Sequence, residues 1–328
     1  MYCSKIPALL VGYGKPCLHF YSVNQNVAIM ETQFTSSSHC QKENFSAFIE
    51  ELVQKFKPEQ IYSFGKNIDF KVNDCCFIEN HSAENYHYFL LMVTENVTRI
   101  EHEVQDFANN HYPFGKITIL AHGKETIAEA IKANNRFFIT IYNEGKILYS
   151  QDGMVHPFQA ISLIPTQGAV KAQKHYNHRS TLATGFLKSA KECLTNQHYS
   201  LSAFMAHQVV EQCCIALIRV HLAYRSDIHN LYRQLRLCES FSPAPSSLFL
   251  SGREDDKRLF DIMVKSYSAA RYKEDFRVEQ ADAEQIFTRV STFLKLTEIM
   301  CGDKINSLAT VAESYAQLKK EREVVYRG

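Results

Sequence analysis

Paired carboxylates on one face of a strand can hold divalent metal ions for phosphoryl transfer, and the strand-like run Tyr86–Val93 is a place to look for them. Its sequence, YHYFLLMV, is apolar at most positions, a pattern typical of a strand buried on both faces. The acidic residues considered near this run are Asp69 and Asp74 before it and Glu95 after it. None lies two positions from another carboxylate on a predicted strand, so we predict no metal site and no catalytic residues here.

A second group of polar residues lies in a helical run later in the chain. His207 and Glu211 are four residues apart, so their side chains share one helix face. Either a buried polar contact that keeps helices in register or a cleft for an anionic ligand would explain them. The arginines that follow are Arg219, Arg225, Arg233 and Arg236. They fit either a solvated face or a phosphate-binding strip.

The composition is typical of a folded protein of about two domains. Of 328 residues, 45% are hydrophobic and 22% charged, which is enough apolar material for full cores. The ten cysteines include no CxxC pair, so we expect reduced thiols rather than zinc ligands or disulfides. The first apolar run is interrupted by Pro7 and ends at Gly12, and no run has the length of a membrane span. We expect a cytoplasmic protein without a membrane segment or a cofactor.

Charge is divided unevenly along the chain. From residue 170 onward there are 23 Lys and Arg against 18 Asp and Glu, whereas the earlier residues contain 13 and 17. An acidic first half and a basic second half favour docking between the halves, or an anionic ligand for the second. Neither half is basic enough to indicate a nucleic-acid binder by charge alone.

The predicted secondary structure that positions these residues differs between the two halves of the chain. Up to residue 152, predicted helices alternate with predicted strands, which indicates an α/β unit around a small mixed sheet, with its core at 41–152. The predicted strands are 61–64, 87–96 and 115–123, followed by a hairpin at 139–150, and the predicted helices lie within 43–60, 99–110 and 125–135. Strand-like pieces before residue 41 are not attached to this sheet by any pattern.

Beyond residue 152 the pattern becomes helical. Residues 153–176 contain Gly and Pro and are predicted to be a linker. Helical periodicity then dominates residues 177–328, interrupted by one irregular insert at 240–252. The predicted helices are 177–195, 199–224, 255–271, 280–301 and 308–325. This pattern predicts an antiparallel helical bundle.

The helical half resembles the HEPN domain as it occurs in bacterial proteins that join it to a minimal nucleotidyltransferase domain. AFMAHQVVEQCCIALI is similar to the HEPN helix that carries a His-Gln-x-x-Glu run, and SDIHNLYRQL to the turn and helix that follow it. LFDIMVKSYSAARYKEDFRV resembles the end of a later helix of the family. The three stretches occur in the order that the family shows.

The resemblance implies a ligand cleft or a nuclease site in the bundle. The candidate ligand-binding residues are His207, Glu211, His229, Arg271 and Tyr272. Many HEPN ribonucleases use an arginine followed by a histidine after four to six residues. Positions 276–278 are Phe, Arg and Val, so the usual ribonuclease motif is incomplete. His229 fits a network at the start of a helix better than a catalytic role.

The α/β half resembles the nucleotidyltransferase domain in the order of its elements. In that family a Gly-Ser turn cradles a triphosphate, and two aspartates on the next strand hold the metals. Here Gly65 keeps the glycine, but Lys66 replaces the serine, and His87 and Phe89 occupy the aspartate positions. Phenylalanine cannot bind magnesium, and a single histidine is a poor ligand for that cation. The inward position on the third strand is near Thr118, again without a carboxylate.

These features predict a non-catalytic protein in which the HEPN domain binds a nucleotide, RNA or a protein. The resemblance implies a homodimer formed through the HEPN bundle. One alternative is an active enzyme of a toxin–antitoxin or defence type, either a HEPN ribonuclease or a nucleotidyltransferase with displaced catalytic residues. A second alternative is a structural interaction protein that binds no nucleotide.

Overall fold

The computed structural model describes residues 40–72, 82–96, 100–153 and 160–325. The chain divides into two compact units, residues 1–50 and 51–328. In the first unit the described residues belong to helix α1 (40–56), and the strand-like pieces predicted before it lie outside the described residues. The elements described below all belong to the second unit.

Four strands form a mixed sheet in the order β3-β2-β1-β4. The strands are β1 (Gln60–Val72), β2 (Ser82–Thr94), β3 (Gly115–Gly123) and β4 (Lys146–Ser150). β1 pairs antiparallel with β2 and with β4, whereas β2 and β3 are parallel. Helix α2 (Glu101–His111) provides the crossover that a parallel pair requires. The predicted small mixed sheet is confirmed.

Strand β2 lies at the centre of the sheet, and every residue of Tyr86–Val93 is buried. Burial on both faces explains why this run lacks the alternation of a half-exposed strand. Its partner β1 is much longer than the predicted 61–64, because β2 continues to pair with it as far as Val72. Alternating apolar residues in NIDFKV carry the signal for this extension. Asp69, expected in a loop, lies in β1, and Asp74 lies outside the described residues.

The hairpin predicted at 139–150 is wrong in its first half. Helix α3 (Lys124–Lys132) is followed by helix α4 (Arg136–Glu144), and β4 pairs with β1 instead of an adjacent hairpin strand. Asn135 caps α4 by accepting a hydrogen bond from the backbone N–H of Phe137. The β-branched residues here favour a strand by propensity, but Phe137, Phe138 and Ile141 are buried on one helix face, and this packing decides the outcome.

The second half is a helical bundle, as predicted. After a turn of 3₁₀ helix at Pro165–Gln167 come six helices. They are α5 (Gly168–Thr195), α6 (Tyr199–Leu222), α7 (Leu231–Cys238), α8 (Ala244–Ser247), α9 (Glu254–Tyr272) and α10 (Gln280–Val325). Helix α6 lies in the middle and packs against α5, α9 and α10. Its apolar residues on all sides explain that central position.

Two predicted helix boundaries are wrong. Helix α5 begins at Gly168, inside the span 153–176 predicted as a linker, so the exact domain boundary stays a prediction. Helix α10 is continuous, whereas the sequence suggested a break after residue 301. Cys301, Ile305 and Leu308 are buried at helical spacing and keep one apolar stripe across the expected break.

Helix α6 is long and apolar enough to cross a membrane by length and composition. However, 72% of the most apolar 18-residue stretch of this helix is buried inside the protein, as is usual for the core helix of a bundle. The buried cysteines of this half, Cys213, Cys214, Cys238 and Cys301, are free thiols. They fill the core as small apolar side chains, which is the use predicted for them.

Candidate ligand-binding site

The sheet positions that sequence analysis singled out lie side by side in the structure. His87 and Phe89 project to the same side of β2, with ring centroids 4.2 Å apart, and Phe89 pairs in register with Thr118 of β3. The Nε2 atom of His87 lies 2.8 Å from the hydroxyl oxygen of Thr118. All three residues are buried. At this point the sheet therefore presents an imidazole, a phenyl ring and a hydroxyl group.

A glutamate from the helical bundle closes this position. Glu239 directly follows α7, and its Oε2 atom lies 2.8 Å from Nδ1 of His87. Its backbone carbonyl accepts a hydrogen bond of 2.7 Å from the side chain of Asn67 on β1. Sequence analysis missed Glu239, because no local pattern connects residue 239 with a strand 152 residues earlier. The sheet position is thus covered by the protein itself.

The protonation states of this pair follow from burial and hydrogen bonding. Burial lowers the pKa of His87 below its ordinary value, and this effect outweighs the opposing influence of Glu239. Burial raises the pKa of Glu239, but hydrogen bonds from His87 and Ser246 outweigh it, so the net pKa is lowered. A neutral His87 that donates from Nδ1 to an ionised Glu239 and accepts from Thr118 satisfies both contacts.

Gly65 and Lys66 do not form a phosphate-binding turn. Both lie within β1 and pair with Phe89 and Tyr88 of β2. A Cβ atom on Gly65 would lie 3.2 Å from the ring of Phe89, so glycine is explained here by close packing. The Nζ atom of Lys66 lies over the ring of Tyr86 at 4.4 Å. The residues that resemble a nucleotide cradle in sequence are therefore part of the β1–β2 ladder, directly after a register shift between Ser63 and Gly65.

Among the residues that the structure describes, no cluster of three or more His, Cys, Asp or Glu side chains could hold a metal ion. The candidate residues for ligand binding lie instead on the bundle, along α6 and α9.

Glu211 and His229 form a hydrogen-bonded pair on the bundle. The Nδ1 atom of His229 lies 2.8 Å from Oε1 of Glu211. The Glu211 side chain is only 8% exposed, whereas that of His229 is 76% exposed. A buried carboxylate thus orients an imidazole whose other nitrogen faces solvent. Asn230, rather than His229, caps helix α7 by accepting a hydrogen bond from the backbone N–H of Arg233.

His207 lies one helical turn before Glu211 and is 4% exposed. Burial, and then the nearby charge of Arg271, lower its pKa to about 4. Its Nδ1 atom lies 3.3 Å from the amide nitrogen of Gln208, and its ring lies 4.9 Å from that of Tyr267. His207 is therefore neutral at physiological pH and forms the buried floor of the face on which Arg271 lies.

Arg271 lies among three aromatic rings near the end of α9. Its guanidinium carbon is 4.3 Å from the ring centroid of Tyr267, 5.1 Å from that of Tyr272 and 5.4 Å from that of Phe204. Its Nε atom donates to the backbone carbonyl of Tyr267, which fixes its direction. Tyr272 is 77% exposed and Tyr267 41%. The structure thus brings His207, Arg271 and Tyr272 together on one surface, which we call the arginine–tyrosine face.

The four arginines considered as a phosphate-binding strip have different surroundings. Arg233 pairs with Glu101, Arg236 donates to Asn109, and Arg225 lies 3.7 Å from Asp227. Arg219 instead lines a cavity between α5, α6 and α10. The first three are therefore engaged by neighbouring side chains of the α/β half or of their own loop.

Comparison with known families identifies the helical half. Residues 180–300 match the family model of the HEPN domain. These residues run from α5 to α10 and include His207, Glu211, His229, Arg271 and Tyr272. The chain thus combines a small mixed α/β sheet with a HEPN domain, and the predicted fold class is confirmed.

Solved structures with detectable similarity include an archaeal HEPN homologue and a nucleotidyltransferase-like protein from Exiguobacterium sibiricum. The first is 14% identical, with a TM-score of 0.29, and the match covers 38% of this chain and 97% of that one. The second is 9% identical, with a TM-score of 0.26, and covers 81% of this chain and 78% of that one. A search of curated proteins found no match.

Proposed function

We propose that this protein is a non-catalytic binding protein in which a nucleotidyltransferase-like α/β domain without metal chemistry supports a HEPN domain. The HEPN domain binds RNA or a nucleotide at the arginine–tyrosine face. We propose the domain division expected from the sequence, with an α/β domain up to residue 152 and a HEPN domain from residue 177. We further propose that it acts in the bacterial cytoplasm.

The observation that carries the non-catalytic part of the proposal is the contact between His87 and Glu239. Phosphoryl transfer needs metal ions, and a substrate phosphate must reach them. Here the sheet position holds a neutral imidazole that is already hydrogen-bonded on both nitrogens, and Phe89 fills the adjacent position. A metal ion at this point would have to displace Glu239 and break a buried contact.

The binding part of the proposal depends on the chemistry of the arginine–tyrosine face. Exposed aromatic rings are platforms on which unpaired bases stack, and arginine donates to phosphate oxygens. Tyr267 and Tyr272 provide exposed rings on either side of Arg271, whose position is fixed by the Tyr267 carbonyl. The resulting surface suits single-stranded RNA better than a folded duplex.

Fluorescence anisotropy with a labelled single-stranded RNA tests this function. We expect Arg271→Ala to weaken binding about tenfold or more, because it removes both a phosphate donor and the group that organises the rings. Arg322→Ala, which removes an exposed arginine near the end of α10, is the matched control. Equal affinity of the Arg271→Ala and wild-type proteins would overturn this assignment.

Incubation with labelled ATP, Mg²⁺ and candidate acceptors tests the non-catalytic part. We expect no label transfer above that of a denatured control. Transfer that disappears in a His87→Ala variant would contradict the proposal and would show that the sheet site is active with other ligands.

We also propose that the protein forms a homodimer through its HEPN bundle. Ile299 and Leu318 on α10 are exposed apolar side chains, outside the arginine–tyrosine face, that a second copy would cover. Sedimentation analysis of the wild-type protein and Ile299→Asp tests this: a dimer that the substitution weakens supports the proposal, and a monomer at all concentrations contradicts it.

A ribonuclease with displaced catalytic residues is the second candidate function, and the Glu211–His229 pair favours it. An exposed imidazole that a buried carboxylate orients is a suitable general base. Incubation with RNA in EDTA would separate the two functions. Cleavage that His229→Ala abolishes would establish the nuclease, whereas intact RNA that remains bound would support the binding protein.

A further inference from the structure

A cavity of about 640 Å³ lies in the second unit, away from the residues already assigned to a ligand. Its walls come from α3 and α4 of the α/β half, from the segment before α5, and from α5, α6 and α10 of the bundle. This volume is in the range of pockets that hold small organic ligands. The cavity therefore has the size of a binding site for a metabolite.

The ionisable residues that line the cavity are all basic. They are Arg136, Lys171, Lys174, His175, Arg219 and Lys304. Among the described residues that line it, none is an aspartate or a glutamate. Basic groups from four helices thus converge on one space without a carboxylate in its walls.

Two other half-buried arginines of the bundle have acidic partners. Arg233 pairs with Glu101, and Arg289 pairs with Asp256. In the described part of the chain, Arg219 and Lys304 form no such ion pair. Arg136 donates to the backbone carbonyls of Val220 and His221 at 2.8 and 3.0 Å, which fixes its guanidinium at the end of α6. The cations of the cavity therefore differ from these two ion pairs, because no carboxylate lies in the cavity walls.

The pKa values of several basic residues in the cavity are lowered, as expected where positive charges are buried near one another. Burial, and then the charge of Arg136, lower the pKa of Lys304. Burial, and then the charge of Arg225, lower the pKa of Arg219. Burial, and then Arg219, lower that of His175. A bound anion would relieve this repulsion.

Much of the remaining wall is apolar. It includes Leu163, Ile164, Pro165 and Leu308. Asn134 fixes the segment that carries Ile164 by two hydrogen bonds, since its amide donates to the Ile164 carbonyl at 2.7 Å and its oxygen accepts from the Ile164 N–H at 3.0 Å. The ligand must therefore combine an anionic group with an apolar or aromatic part.

We propose that this cavity binds a small phosphorylated ligand of the nucleotide class. Several cations that surround one space match a group with more than one negative charge, and guanidinium groups pair well with phosphate oxygens. A base or a similar flat body would lie against the apolar wall. This site is distinct from the arginine–tyrosine face and does not depend on RNA binding there.

Isothermal titration calorimetry of the full chain with ATP, GTP and adenosine tests the proposal. We expect ATP or GTP to bind, with an affinity that falls as salt is added, and adenosine to bind at least about tenfold more weakly, since it has no phosphate. Arg219→Gln combined with Lys304→Gln should weaken nucleotide binding about tenfold or more.

Lys171→Gln combined with Lys174→Gln provides a second variant at exposed positions, where folding is not at risk. Lys188→Gln on α5 and Lys295→Gln on α10 are exposed controls outside the cavity. The proposal is overturned if neither nucleotide binds, or if binding survives in both cavity variants. Binding that Arg271→Ala abolishes and the cavity variants retain would also overturn it, and would assign the nucleotide to the arginine–tyrosine face.

Discussion

The sheet site and the basic cavity deal with buried charge in opposite ways. Around His87 the polar groups are paired within the protein, because Glu239 and Thr118 occupy both imidazole nitrogens. In the cavity, Arg219 and Lys304 lie on different helices and line one space without a carboxylate in the walls. In the sheet site, Glu239 of the bundle already pairs with His87. In the cavity, the basic residues could still pair with a bound anion.

This difference shows what makes a polar site able to bind. A charge that already has a buried partner gains little from a ligand, because the ligand must first replace that partner. A cluster of like charges in a partly apolar cavity is unfavourable without a ligand and gains from one. Sites with similar polarity can therefore have opposite functions, depending on whether the protein supplies the counter-charge.

The largest expected effect is that of a new carboxylate in the sheet site. Phe89→Asp should lower the free energy of unfolding by about 4 kcal/mol or more, because it removes a fully buried ring and places a charge beside His87. Tyr272→Asp, at an exposed position of the bundle, should change it by less than about 0.5 kcal/mol. Urea denaturation measures both. Similar losses in the two variants would contradict the contrast between a closed site and an open face.

Removal of the Glu239 side chain, which binds His87 from the bundle, should cause the next largest loss in the free energy of unfolding. Glu239→Ala leaves the buried Nδ1 of His87 without its acceptor and should destabilise the protein by about 2 kcal/mol. Glu239→Gln should recover part of this loss, since its amide oxygen can accept the same hydrogen bond. Glu274→Ala, at an exposed position, is the control. A loss below about 0.5 kcal/mol for Glu239→Ala would mean that the contact does not hold the site closed.

The pH dependence of stability should report the burial of His207. Because its folded-state pKa is about 4, below the ordinary value of 6.5, the unfolded chain binds the proton more readily. The contribution of neutral His207 to stability is complete above the pKa of the unfolded chain. It is lost as the pH falls towards the pKa of the folded state. Between about pH 7 and pH 5 this residue should account for a loss of about 2 kcal/mol.

Denaturation curves over this pH range, measured for wild type and His207→Asn, test that expectation. The substitution should reduce the pH dependence by about the same 2 kcal/mol, whereas the exposed His178→Asn serves as the control. An unchanged pH profile in His207→Asn would indicate that the imidazole is more accessible than its 4% exposure suggests.

The smallest expected effect has the opposite sign. Lys304→Met should raise the free energy of unfolding by about 0.5 kcal/mol, because it removes one of several converging cations and keeps the length of the side chain. Lys295→Met, at an exposed position of the same helix, is the matched control. Destabilisation by Lys304→Met would indicate that the lysine has a structural role, and would remove the contrast with the sheet site.

Periodicity predicted much of the fold, and its failures have physical causes. The run from Tyr86 to Val93 and the strand Gly115–Gly123 were predicted correctly, since a buried strand has a continuous apolar sequence. Helix α4 was predicted as part of a hairpin, because its β-branched residues have strand propensity and only the packing of Phe137 and Ile141 decides otherwise. The long α10 was predicted as two helices, 280–301 and 308–325, although the buried stripe continues between them.

The candidate sites were predictable only in part. Sequence resemblance placed His207, Glu211, His229, Arg271 and Tyr272 in one cleft. The structure places His207 beneath Arg271 and Tyr272, whereas Glu211 is paired with His229. The resemblance did not predict that Glu211 bonds His229, or that Tyr267 and Phe204 complete the surroundings of Arg271. Those contacts join separate helices, and helical periodicity describes one helix at a time.

The sequence alone determined which chemical groups this protein has. It established a central strand with histidine and phenylalanine in place of paired carboxylates, a HEPN-like bundle, and an excess of basic residues after residue 170. Only the tertiary structure decided which charges are neutralised, because Glu239 reaches His87 across 152 residues while Arg136, Arg219 and Lys304 meet from three separate helices. Hydrogen bonds and Coulomb interactions act over a few ångströms in space, whereas the order of residues constrains only neighbours along the chain.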